Sequence, residues 1–148
     1  MREYKFRGKS KRDGEWFYGN LYDKDTKGNT HICTLEKGCL VIDPDTVGQF
    51  TGMCDKKGRE IYEGDIVKMH DPYSVYRSDF TGIVEWIKCR WMIRRYILGF
   101  WDYGDLMFDD FANIKLTVIG NIHDDIELKE KVLSQGDDLN SPLSPQNK

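Results

Sequence analysis

Apolar and polar residues alternate along most of the chain, and the alternation stops wherever glycine, aspartate and proline gather. Short strands joined by tight turns produce that pattern. In the first segment Tyr4 and Phe6 share one face of an extended chain while Glu3, Lys5 and Arg7 share the other, and Asp13-Gly14 marks a hairpin turn. The return strand from Glu15 to Tyr22 carries Trp16, Tyr18 and Asn20 on one face and Phe17, Gly19 and Leu21 on the other, which predicts cover on both sides. A polar loop from Asp23 to Asn29 leads to two short strands, Thr30 to Leu35 and Cys39 to Ile42, joined through Lys37 and Gly38. Asp43-Pro44-Asp45 closes this β section, residues 1–46.

The centre of the chain is the most specific part. Val47 to Phe50 reads as a short strand and Thr51 to Gly58 as a turn, in which Asp55 bonds its own backbone and Gly58 supplies positive φ. Ile61 and Tyr62 lead into a second reversal, Glu63-Gly64-Asp65, and then into the apolar strand Ile66, Val67, Met69. Tight turns between short bent strands predict a mainly β fold with a small SH3-type barrel over residues 47–123. Further along, Asp71 to Asp79 is a loop bearing Tyr73 and Tyr76, Phe80 to Trp86 is a strand, and Trp91 to Trp101 continues the sheet. Asp102 to Asp110 reads as an acidic turn, and Ile114 to Ile122 as a strand with Gly120 at a bulge or close approach. A short helix over 124–133 has Asp124 and Asp125 at its start, Lys129 and Lys131 near its end, and Ile126, Leu128 and Val132 as anchors. Residues 134–148 are too polar to order themselves.

Totals change this picture only at the margins. A chain of 148 residues fits one domain or two small subdomains, and no internal repeat is visible. A formal charge of -3 excludes the blanket basicity that drives non-specific nucleic-acid binding, so any such contact needs a local patch. Four cysteines without a CxxC pair, no secretory signal and no apolar run of spanning length predict reduced thiols in a bacterial cytoplasm and no membrane partner. The offsets among His31, Cys33 and Cys39 do not match a zinc module, and no cofactor is expected.

Four segments carry a resemblance: MREYKFRGKS at the start, TVGQFTGMCDKKGREIYEGDIVKM in the centre, the strand TGIVEW and the closing TVIGNIHDDIEL. In this order the chain resembles the YopX family of phage and prophage proteins over about residues 1–132. The resemblance implies a phage or prophage origin, an SH3-type barrel around the central motif and no established biochemical activity. The motif residues Phe50, Gly52, Asp55, Gly58, Ile61, Tyr62, Glu63, Gly64 and Asp65 then read as structural, as does Gly120. Two parts depart from the family: KCRWMIRRYIL, from Lys88 to Leu98, is more basic, and the tail is unmatched.

No catalytic signature emerges. Glu63 and Asp65 flank Gly64 and could bind a divalent metal or act as acid and base, but the preferred reading is that they accept backbone N–H bonds and hold the turn. Asp102, Asp105, Asp109 and Asp110 read as a solvated loop. His31, His70 and His123 lie in three segments with no nucleophile elbow, and no Walker-type spacing is present. The basic run has a functional shape. As one extended strand, Lys88, Arg90 and Arg94 share a face, with Arg95, Trp86 and Tyr96 beside them, a composition that binds phosphates and stacks bases. Edge protection by positive charge, or pairing with an acidic surface of a second copy, is the favoured reading of the same row. The expectation is a non-enzymatic module that binds a protein partner or itself, with Tyr73 and Tyr76 as an exposed aromatic loop; nucleic-acid binding is the alternative, and a metal-dependent hydrolase comes third.

Overall fold

The computed structural model describes residues 4–22, 24–70, 80–97, 100–105 and 115–134; the side chains of 70, 96, 97, 100–105 and 115 lie outside that description. The chain is mainly β, with eleven strands in two sheets and one short helix among these residues. It divides into two compact units, Met1–Asp65 and Ile66–Lys148.

The first unit holds six strands: β1 (Phe6–Lys9), β2 (Trp16–Tyr22), β3 (Thr30–Thr34), β4 (Gly38–Ile42), β5 (Gly48–Cys54) and β6 (Glu60–Tyr62). Their order in the sheet is β4-β3-β2-β1-β5-β6. The Asp13-Gly14 turn pairs Lys9 with Trp16, as the sequence predicts, and Gly14 has φ +74°. The sheet curls so that the far end of β4 meets β1 again: Ile42 bridges Ser10, Lys11 N–H donates to the Val41 carbonyl at 3.0 Å, and Asp43 N–H to that of Lys9 at 2.8 Å. Ile32 and Ile42, both fully buried, fill the inside of that curl. A division of the chain at residues 46/47 has the β1–β5 pairing, Phe6 with Gln49 and Arg7 with Gly48, running across it.

On β1 Arg7 is buried and Phe6 half-buried, whereas Tyr4 ahead of it is exposed. Several expectations are corrected here. The cover expected on both sides of β2 is partial: Tyr18, Asn20 and Tyr22 are exposed, although Trp16 lies against the Arg7 guanidinium and the Tyr18 ring against that of Tyr62. Cys33 and Cys39 are not reduced thiols: they oppose each other across β3 and β4 and form a disulfide. The central turn is narrower than Thr51 to Gly58, because β5 runs on to Cys54 through a register shift after Phe50, with Gly52 at φ +88°.

In the second unit β7 (Asp65–His70), β8 (Phe80–Ile87), β9 (Arg90–Ile97), β10 (Phe100–Asp105) and β11 (Lys115–Asn121) form a sheet in the order β10-β9-β8-β7-β11. Ile66 lies opposite Ile83, and Val67, Val84, Trp91 and Ile93 are buried with them. Helix α1 (Ile126–Ser134) packs Val132 against Ile66 and Ile83, supported by Ile122, Leu128 and Leu133; Ile126, expected as an anchor, is exposed. Gly120 is a close-approach site, since a Cβ there would stand 2.5 Å from the Asp125 carboxylate, which accepts the Asn121 N–H. Asp102 to Asp105 belong to β10, paired with Arg95 to Met92, instead of a turn; 106–110 lie outside the described residues, as do the tail beyond 134 and the loop with Tyr73 and Tyr76. No strand pairing among the described residues closes a barrel.

Candidate functional site

Beneath the surface of the first unit, Arg7 ties three strands together. Its Nη1 meets the Asp65 carboxylate at 2.7 Å with side chains only 8% and 2% exposed, and its Nη2 donates to the Glu63 carbonyl at 3.2 Å. The guanidinium also stacks 4.7 Å from the Trp16 ring and 5.0 Å from that of Tyr62. Arginine suits such a place because its planar, weakly hydrated cation accepts both a carboxylate and aromatic faces. The second Asp65 oxygen accepts the Tyr62 N–H at 2.8 Å, so this carboxylate holds the Glu63-Gly64 reversal in the way the sequence predicts. Burial pushes the Asp65 carboxyl above its ordinary range, against the pull of the Arg7 charge and the Tyr62 N–H. The network continues outward: the Tyr62 hydroxyl donates to Glu60 at 2.6 Å, and Lys5 Nζ pairs with Glu60 at 2.7 Å. Burial acts to raise Glu60, but the hydrogen bonds from Lys5 and Tyr62 outweigh it and hold the carboxyl below its usual value.

The turn on which the family motif depends is equally specific. Asp55 Oδ1 accepts N–H bonds from Lys57 at 2.8 Å and Arg59 at 2.9 Å, and Gly58 sits at φ +78°. A side chain is strained at that φ, so glycine is required. The same turn occurs a second time: Asp25 Oδ1 accepts from Lys27 at 2.8 Å and Asn29 at 2.9 Å, with Gly28 at φ +81°. Asp-x-Lys-Gly is the shared signal, an internal repeat of turn chemistry present in the sequence and missed by reading for longer periods. Asp55 and Asp65 are thus committed to holding backbone. Gly64 has φ +81°, and Phe50 and Ile61 are core residues, with the Phe50 ring 5.5 Å from that of Tyr62. Among the described residues no three His, Cys, Asp or Glu side chains are grouped as metal ligands.

The surface of the first unit also carries a groove with both aromatic and polar walls. This open groove of about 540 Å³ is lined by Tyr4, Trp16, Phe17, Tyr18, Cys33 and Leu35 together with the polar Lys5, Asn20, Thr34, Glu36 and Lys37. Tyr4 is 63% exposed, Tyr18 42%, and Leu35, at the tip of the β3–β4 hairpin, is fully exposed. Alternation placed Trp16 and Tyr18 on one face correctly; what hid the groove is that its other wall, Leu35 to Lys37, comes from a separate hairpin.

The predicted basic strand is interrupted. Lys88 and Cys89, at φ +50° and +63°, form a two-residue turn between β8 and β9. Two consecutive positive φ values are the hairpin geometry usually supplied by Asn-Gly, and here the edge-to-face contact of Trp86 with Trp91 across the strands, 4.8 Å between centroids, flanks it. Lys88 therefore leaves the row. Arg90 is exposed at the start of β9, Arg94 is paired with Glu85 at 2.8 Å, and Arg95 lies on the opposite face with its guanidinium 5.0 Å from the Phe80 ring. Met92, between Arg90 and Arg94, is buried. The Tyr96 side chain, and all of Tyr73 and Tyr76, lie outside the described residues.

No helix among the described residues is long and apolar enough to cross a membrane. Comparison with known proteins agrees with this geometry at the level of fold and family. The crystal structure of protein EF1440 from Enterococcus faecalis is similar, with a TM-score of 0.50 and 23% identity over 86% of this chain and 99% of that one. No curated protein matches. The YopX family, described as YopX protein, matches residues 5–130, which include both aspartate turns, the Arg7 network and every described strand. This chain belongs to the YopX family.

Proposed function

We propose that the chain is a non-enzymatic phage or prophage accessory module that binds a protein segment through the aromatic groove of its first unit. The observation that carries this reading is the exposure of Tyr4, Tyr18 and Leu35 around one groove, above a network in which Asp65 and Glu60 already hold cationic partners. Exposed aromatic side chains grouped on a rigid sheet are the residues that dominate protein interfaces. An SH3-type barrel has support only within the second unit: β5 and β6 of the expected 47–123 barrel belong to the other sheet, whereas the order β10-β9-β8-β7-β11, a meander whose last strand returns beside its first, is the order obtained by unrolling such a barrel. Family membership supports the phage or prophage origin and a place of action in the host cytoplasm.

Self-association uses the same surface if the bound segment belongs to a second copy. Nucleic-acid binding through Lys88, Arg90, Arg94 and Arg95 has weaker support, because the turn at Lys88 and the Arg94–Glu85 pair divide the row. A hydrolase using Glu63 and Asp65 is opposed by the burial of Asp65 against Arg7.

The test is selection of a random peptide library on the full chain, beside a retention assay on single-stranded DNA. Selected peptides should lose about tenfold or more in affinity, a change of about 1.4 kcal/mol, in Tyr18→Ser and Leu35→Ser. Peptides that bind these variants as well as the parent would remove the groove from the proposal. Salt-sensitive DNA retention, abolished by charge reversal at Arg90 and Arg94, would move the function to β9.

A further inference from the structure

We infer that the Cys33–Cys39 bond is a reversible redox clamp on the β3–β4 hairpin, setting the position of the Leu35 wall of the groove. What the clamp regulates rests on the groove reading; the clamp itself does not.

The hairpin has two parts of different character. At its base Ile32 and Ile42 are fully buried and keep the strands paired whatever happens at the tip. Beyond them the residues from Cys33 to Cys39 are half-buried or exposed. Besides the disulfide, Cys33 is paired with Asn20 of β2, and the turn beyond it is held by the Thr34–Gly38 pairing and the Lys37 N–H bond to Thr34 Oγ1 at 2.9 Å. A cross-link stabilises a whole fold in proportion to the logarithm of the loop it closes, and this one joins residues only six apart. Its effect is therefore local. It fixes the segment that carries Leu35 and Lys37, and Cys33 itself lines the groove.

Exposure of Cys39 allows the exchange. A thiolate of a dithiol reductant attacks Cys39 Sγ, the S–S bond breaks, and Cys33 leaves as a thiolate that takes up a proton. The second thiol of the reductant then attacks its own sulfur in the mixed disulfide and releases Cys39 as a thiolate, which is protonated in turn. Two electrons pass to the protein and the reductant becomes a disulfide. A small-molecule or protein disulfide runs the sequence backwards. Cys54 and Cys89, exposed and unpaired, take no part.

Dithiothreitol titration of the full chain, without denaturant, tests the clamp. The count of reactive thiols should rise from two to four, and amide exchange at 33–40 should quicken by about tenfold or more while Ile32 and Ile42 keep their protection. Cys33→Ser with Cys39→Ser should reproduce the reduced form, and Cys54→Ser with Cys89→Ser should leave the transition intact. A count that stays at two, exchange at 33–40 that does not change on reduction, or loss of protection throughout the first unit would each overturn the inference. Peptide selection on the oxidised protein is read separately, so failure of the groove and failure of the clamp are distinguishable. If both hold, peptides selected on the oxidised form should bind the reduced form more weakly.

Discussion

Arg7 and Arg94 each sit on a strand, and each meets a carboxylate at nearly the same distance, 2.7 Å to Asp65 and 2.8 Å to Glu85. Their surroundings differ. The Arg7 pair is almost wholly removed from water and is stacked between two rings, whereas Arg94 and Glu85 keep 28% and 30% of their side-chain exposure. Removing one partner of a buried pair leaves an uncompensated charge, while a pair reached by solvent is screened and contributes little. The difference teaches that basic residues cannot be ranked by how they cluster along a chain. Both stretches are rich in basic residues, yet only Arg7 of MREYKFRGKSKR is buried with a carboxylate, and the run from Lys88 to Arg95 is divided among a turn, a surface pair and a ring contact.

The largest expected effect follows from that contrast. Arg7→Ala, or Asp65→Ala, should destabilise the first unit by about 3 to 5 kcal/mol in denaturant unfolding. Arg7→Met combined with Asp65→Asn, which keeps an acceptor for the Tyr62 N–H, should recover much of that loss; equal losses in single and double variants would mean that the charge pair is not the source. Next in size, Gly58→Val and Gly28→Val should each cost about 1 to 3 kcal/mol, because both positions require positive φ. An unchanged melting temperature in either would show that its aspartate turn is misassigned.

Cys89→Gly gives a test by sign. In a turn at φ +63° glycine should stabilise by about 1 kcal/mol, whereas inside a continuous strand it should destabilise by about 0.5 to 1 kcal/mol. Arg94→Gln should change stability by about 1 kcal/mol or less. The pH dependence of Glu60 is the smallest effect. A carboxyl held below its ordinary value contributes stability that is fully present above the unfolded pKa of about 4.3 and is lost as pH falls through the folded one. Glu60→Gln should therefore flatten the acid side of the stability curve, and an identical acid slope in parent and variant would show that the Lys5–Glu60–Tyr62 contacts do not act in solution.

Local turn chemistry was legible. Asp13-Gly14, Asp55 with Gly58, and Glu63-Gly64-Asp65 each state their geometry in residues adjacent along the chain, and Gly120 announced a close approach. The reversal at Lys88-Cys89 was not legible, because neither residue favours positive φ; the only local sign was the two tryptophans, Trp86 and Trp91, that meet edge to face across it. Pairing at long range was hidden too. Nothing near Arg7 in the sequence indicates Asp65, and although the turn through Lys37 and Gly38 is legible, the register that sets Cys33 opposite Cys39 is not. The groove combines both problems, since Tyr18 and Leu35 come from different hairpins.

Amide NMR shift mapping with a library-selected peptide tests the placement of the binding surface most directly. Shifts clustered at Tyr4, Tyr18 and Leu35, with Trp86 to Arg95 unmoved, are expected. Shifts confined to the β8–β9 hairpin, with the groove residues silent, would contradict the assignment.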